Sequence, residues 1–129
     1  MLALWVVAGS PPSPSDSIES LELLLDHDPH ALLLAYANAA LAGSLIAVWN
    51  GWRGSFFRLA VDPAHRRRGI ATALVREGEE RLRARGALRL DALVASDDRS
   101  AMSFWHAVGF EHQRERARFI RNLRTPTQR

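Results

Sequence analysis

The stretch Leu59-Ala60-Val61-Asp62-Pro63-Ala64-His65-Arg66-Arg67-Arg68-Gly69-Ile70-Ala71-Thr72 constrains the fold more than any other part of the chain. An apolar strand closes at Asp62-Pro63, passes through a tight turn of three arginines and a glycine, and enters a helix without a linker. From Ile70 to Arg85, apolar or small residues recur at 71, 74, 75, 78 and 82 with the helical period, and Gly86 supplies the stop. Glu77/Arg81 and Glu79/Arg83 stand in the favourable order for i,i+4 pairing. The first turn of such a helix has unpaired N–H groups and a partial positive charge, so Arg67 to Thr72 form a backbone cradle suited to a pyrophosphate. Gly69 lets the backbone approach the ligand closely.

Ahead of this unit, three short apolar runs divided by turn signals read as an antiparallel meander: ALLLAYA from Ala31, SLIAVW from Ser44, and SFFRLAV from Ser55. The turns are assigned to Asn38–Gly43 and Asn50–Gly54. Before the meander, Asp16 or Ser17 can cap a helix that carries Ile18, Leu21, Leu24 and Leu25 on one face and ends at Pro29. Gly9 to Ser15 is a Pro/Ser-rich loop, and Met1 to Ala8 is either a helix or a strand on its own periodicity. After the long helix come a strand over Leu88–Val94, a polar Ser96-Asp97-Asp98 start signal, and a helix burying Ala101, Phe104, Trp105 and Val108, with Gly109 as its stop. Phe110 to Leu123 is expected to return as a strand, and residues 124–129 to fray.

A chain of 129 residues with 47% hydrophobic and 24% charged residues fits one domain with a core. It contains no cysteine, which excludes disulfides, thiolate nucleophiles and sulfur-ligated zinc. All 17 basic residues are arginine, so a Lys Schiff base and the Walker P-loop lysine are also excluded. No apolar run approaches a membrane span, and no basic segment precedes the apolar start; a cytoplasmic protein is expected. Residues 1–65 hold two Arg against six acids, net −4, and residues 66–129 fifteen Arg against eight acids, net +7. That asymmetry points the second half at an anion. Asp26-His27-Asp28-Pro29-His30 contains metal-ligand types, but a helix end before a proline turn accounts for it, and no metal is expected.

The R-x-x-G-x-A turn (Arg66, Gly69, Ala71), its flanking strand and helix, the next strand, and Asp98-x-x-Ala101-x-x-Phe104-Trp105-x-x-x-Gly109-Phe110 together resemble the GNAT superfamily of acyl-CoA-dependent N-acyltransferases over residues 31–110. The resemblance implies an α/β fold with a mixed sheet, splayed central strands and flanking helices, and acetyl-CoA as acyl donor. It implies that Leu59, Ala60 and Val61 offer backbone to the pantetheine, with the Leu59 N–H polarising the thioester carbonyl. Arg66, Arg67, Arg68, Gly69, Ile70, Ala71 and Thr72 would hold the pyrophosphate; Asp98, Ala101, Phe104 and Trp105 would flank the thiol. The implied reaction is direct attack by an amine, through a tetrahedral intermediate, with loss of CoA thiolate.

The sequence departs from that pattern in three places. Where the family commonly has a Tyr as general acid stands Trp105, whose indole N–H cannot serve. The strand Ser55–Val61 carries Arg58 and no carboxylate, so the base is sought among Asp91, His106 and Glu111, with Asp91 preferred. The family's opening strand is replaced by a helix-like MLALWVVAG, leaving a sheet edge that a homodimer would cover with help from Leu4, Trp5 and Val7. The competing readings are a basic RNA-binding protein using residues 111–129 and a CoA-binding regulator without turnover, although nucleic acid is not the expected partner and no membrane is involved.

Overall fold

In the computed structural model, which describes residues 1–9 and 13–123, an antiparallel hairpin joins β1 (Leu32–Ala37) to β2 (Ala40–Trp49). Its turn is only Asn38-Ala39, both left-handed at φ 51° and 70°, the geometry that matches strand twist in a two-residue hairpin. The turn assigned to Asn38–Gly43 is therefore too long: β2 already begins at Ala40 and takes Gly43 into its interior. Gly43 is there for packing, since a Cβ would lie 2.9 Å from Ile70 Cγ2 and 3.2 Å from the Ala60 carbonyl oxygen. β3 (Gly54–Val61) pairs antiparallel with β2, and β4 (Leu90–Ala92) pairs parallel with β3, giving the order β1-β2-β3-β4.

The sheet is covered on both faces. Alternation along β2 sends Ser44, Ile46 and Val48 to one side, where Ile46 joins Leu4, Trp5 and Ala60, with Leu21 and Leu24 packed against them. These contacts come from α1 (Leu2–Val7) and α2 (Ile18–His27). Gly43, Leu45 and Ala47 face the other side, where α3 (Ile70–Ala84) buries Leu74, Val75, Gly78 and Leu82. This two-sided burial explains why β2 reads as a continuous apolar run.

Met1–Ala92 forms one compact unit, and a second begins at Leu93. The second contains α4 (Arg99–Ala107), capped by Asp98, whose carboxylate accepts from the Ala101 N–H at 3.0 Å. Among the described residues no helix is long and apolar enough to cross a membrane.

Several expectations need correction. The helix at the start is observed, but Leu4 and Trp5 are buried, so the apolar surface expected there for a dimer contact shrinks to Val6 and Val7. Ser17 caps α2 through the Ser20 N–H, while Asp16 binds Arg58 instead. The strand over Leu88–Val94 contracts to three residues, with Leu88 fully exposed. Phe110–Leu123 forms no strand: Phe119, Ile120 and Leu123 are exposed, and no described strand offers them a ladder. Residues 124–129, expected to fray, lie outside the described residues, as does the centre of the Gly9–Ser15 loop.

Candidate active site

β3 is bent by a bulge. Ser44 faces Ala60 and Ile46 faces Phe57, so Leu45 of β2 stands opposite two residues, Arg58 and Leu59. Arg58 takes φ 55°, a left-handed conformation that costs a non-glycine residue about 1–3 kcal/mol and that clusters at functional sites. Bulges of this kind bend a strand and end its pairing on one side. The β3–β4 ladder accordingly holds only Gly54↔Leu90, Ser55↔Asp91 and Phe56↔Ala92. Beyond it, the stretch Phe57–Val61 has β2 on one flank and no ladder partner on the other among the described residues.

Several contacts hold the bulge. The Arg58 guanidinium bonds Asp16 Oδ2 at 2.6 Å and lies 5.3 Å from the centre of the Trp5 ring. Ser44 Oγ donates to the Arg58 carbonyl oxygen at 3.3 Å and accepts from Trp5 Nε1 at 3.0 Å.

At the end of β3 the Asp62 carboxylate accepts from the Ala64 N–H at 2.9 Å and shapes a 3-10 turn over Pro63–His65. Arg67 at φ 64° and Gly69 at φ 78° are both left-handed, curling the chain on either side of Arg68. α3 then starts with no side-chain cap, and its first intrahelical bond is Ala73 N–H to Gly69 O at 3.0 Å. The N–H groups of Ile70, Ala71 and Thr72 therefore have no acceptor within the helix, and the positive end of a 15-residue helix is presented at an exposed arginine turn. The φ of Gly69 favours glycine there, and the space a Cβ would occupy is open. Of the three arginines, Arg66 bonds the Ala8 carbonyl oxygen at 3.1 Å, which ties the end of α1 to the turn, and Arg68 lies 3.4 Å from His65 Nδ1.

This strand, turn and helix match a family model. Residues 3–110 match the acetyltransferase (GNAT) family. The chain belongs to the GNAT acetyltransferase family. A Yersinia pestis acetyltransferase is 34% identical over 99 residues, 77% of this chain and 70% of the relative. The fold of an aminoglycoside 6'-N-acetyltransferase from Acinetobacter haemolyticus superposes with a TM-score of 0.73 at 24% identity, covering 95% of this chain and 90% of that one. A second aminoglycoside N-acetyltransferase, solved with the bisubstrate analogue CoA-S-monomethyl-acetylneamine, gives 0.72 at 21% identity, covering 94% and 88%.

Within this GNAT chain the structure brings Leu59, Ala60 and Val61 into one open strand end that runs into Arg66–Thr72. It does not bring Asp91 to Leu59. Asp91 stands opposite Ser55, four residues back along β3, on the order of 13 Å at strand rise. Asp98, Ala101, Phe104 and Trp105 all lie in the second unit. There Trp105 is buried, edge-on to Phe104 at 5.3 Å and to Phe110 at 4.8 Å between centroids. The sequence reading missed the contacts around Arg58; an arginine inside the apolar run SFFRLAV was the signal.

Proposed function

We propose that this GNAT member is an acetyl-CoA-dependent N-acetyltransferase acting on an amine. The observation that carries the reading is the uncapped N-terminus of α3 under three arginines, continuous with a bulged strand whose second half has one open flank. The residues present fit the donor: unpaired N–H groups and guanidinium groups suit a pyrophosphate, the turn at Gly69 leaves open space, and the free strand flank offers backbone to an amide-bearing arm. The relative solved with a CoA bisubstrate analogue supports the same assignment.

Acetyl-CoA would supply an activated acetyl thioester, whose acetyl group would pass to the amine nitrogen, with CoA leaving as the thiolate and the amine proton passing to water. Arg66, Arg67 and Arg68 with the Ile70, Ala71 and Thr72 N–H groups would hold the diphosphate. Ala60 and Val61 would align the arm, and the Leu59 N–H would donate to the carbonyl oxygen, an oxyanion-type contribution that needs no side chain. Asp98, Ala101, Phe104 and Trp105 are assigned to the thiol end by resemblance. Asp91, opposite Ser55 on β4, is too far from Leu59 for one water to bridge, so the reaction as proposed draws on no side-chain base at that position.

The deciding experiment is an acetyl-CoA turnover screen against a panel of amines, run beside calorimetry with CoA. Turnover with at least one amine class supports the reading. Tight CoA binding without turnover across the panel leaves the regulator reading, and the absence of CoA binding overturns both.

A further inference from the structure

Ser44 is fully buried in a strand whose other buried side chains are apolar or glycine, and its hydroxyl is committed on both sides. Trp5 Nε1 is a donor only, so its 3.0 Å contact takes a lone pair of Ser44 Oγ, and the hydroxyl proton goes to the Arg58 carbonyl oxygen at 3.3 Å. That carbonyl and the Leu59 N–H belong to one trans peptide plane, in which they point in opposite directions. Anchoring the Arg58 oxygen on Ser44 therefore turns the Leu59 N–H away from Ser44. The plane lies within the bulge, beside a residue at φ 55°, where no regular ladder fixes its direction.

We propose that Ser44, backed by Trp5, is the positioning residue that sets the direction of the Leu59 N–H for acyl transfer. The helix α1, which carries Trp5, thereby becomes part of the active-site support, although it contributes no group to the reaction. The proposal rests on the reading of Leu59 given above. It assigns to Ser44 no contact with donor or acceptor, only the orientation of one peptide.

The test uses the ¹⁵N-labelled full chain titrated with acetyl-CoA, as wild type, Ser44→Ala and Ser44→Thr. In the wild type, the amide resonances of Leu59 and of Ile70 in the cradle should both shift. In Ser44→Ala the Ile70 shift should persist, the Leu59 shift should be lost, and kcat should fall about tenfold or more, approaching the loss of an oxyanion donor, with KM for acetyl-CoA within about twofold. Ser44→Thr keeps the hydroxyl and should restore both the Leu59 shift and most of kcat. A Leu59 response and kcat unchanged in Ser44→Ala overturn the proposal. If the wild type shows no shift at Ile70, the cofactor reading fails instead. Should Ser44→Ala not fold, Trp5→Phe, which keeps a ring and removes the donor, is read by the same resonances and the same kcat criterion.

Discussion

Asp28 and Arg81 form an ion pair in which each side chain is only 11% exposed, and it joins the turn between α2 and β1 to the last turn of α3. Arg81 Nε also donates to the His30 carbonyl oxygen at 2.8 Å, and Arg85 brings a second cation within 3.9 Å of Asp28. Burial on its own would raise the Asp28 carboxyl, but the hydrogen bond and charge of Arg81, the His30 N–H and the charge of Arg85 together hold it below its ordinary 3.8. Spacing along α3 pairs Arg81 with Glu77 at i,i+4, but the buried carboxylate of Asp28 takes it instead.

Asp28→Asn should therefore destabilise the protein by about 1.5–3 kcal/mol near neutral pH, because it weakens a charge-assisted hydrogen bond and leaves a mostly buried guanidinium without its counterion. The contribution is fully present above the unfolded aspartate value and is lost as pH falls through the lower folded value. Urea unfolding should show the full gap between wild type and variant above about pH 4 and a shrinking gap below it. A gap that stays constant down to pH 2 would show that the pair is not the cause.

Gly78 lies where α3 packs tightly against the sheet. A Cβ there would sit 2.8 Å from Phe56 Cε1 and 3.1 Å from Leu45 Cδ2, and both of those side chains are among the most buried in the chain. Alanine gains about 1 kcal/mol of helix propensity and meets an overpacking cost of about 1–3 kcal/mol. Gly78→Ala should lose about 1 kcal/mol net in urea unfolding. A gain would mean that the two layers separate at little cost.

The sequence discloses what local periodicity controls. The meander, α3 with its buried face at Leu74, Val75, Gly78 and Leu82, and the Arg66–Gly69 turn are all legible, because each is written in spacing or in glycine placement. The bulge is not, since its cause is a set of partners far apart in the chain: Trp5, Asp16 and Ser44 converge on Arg58. The same holds for Gly43, which resembles a turn residue and is a packing residue. Phe110–Leu123 has the composition of a strand, but composition does not supply the neighbouring edge that a strand needs.

Gly69 separates conformation from charge. Gly69→Ala introduces a left-handed alanine at φ 78° into open space, so it should cost about 1 kcal/mol or somewhat more in stability and leave most CoA affinity. Gly69→Glu adds a carboxylate at the N-terminus of α3, where the helix tolerates it but a diphosphate would be repelled. Calorimetry should show CoA binding abolished in the glutamate variant alone. Equal affinity in wild type and Gly69→Glu would place the phosphates elsewhere.

Trp105 tests the departure from the family's usual acid. Its ring is buried in the second unit with Phe104 and Phe110 edge-on to it, and its indole nitrogen is a donor that does not release a proton near neutral pH. Phenylalanine keeps the aromatic packing in part and removes the N–H. If the departing thiolate is not protonated by this residue, Trp105→Phe should reduce kcat by much less than the roughly 10²–10⁴-fold that follows loss of a general acid, with CoA affinity unchanged. Stopped-time assays of thiol release across pH 6–9 should also keep the shape of the wild-type profile. A loss of 10³-fold or more with normal CoA binding would show instead that the indole N–H makes a contact the reaction requires.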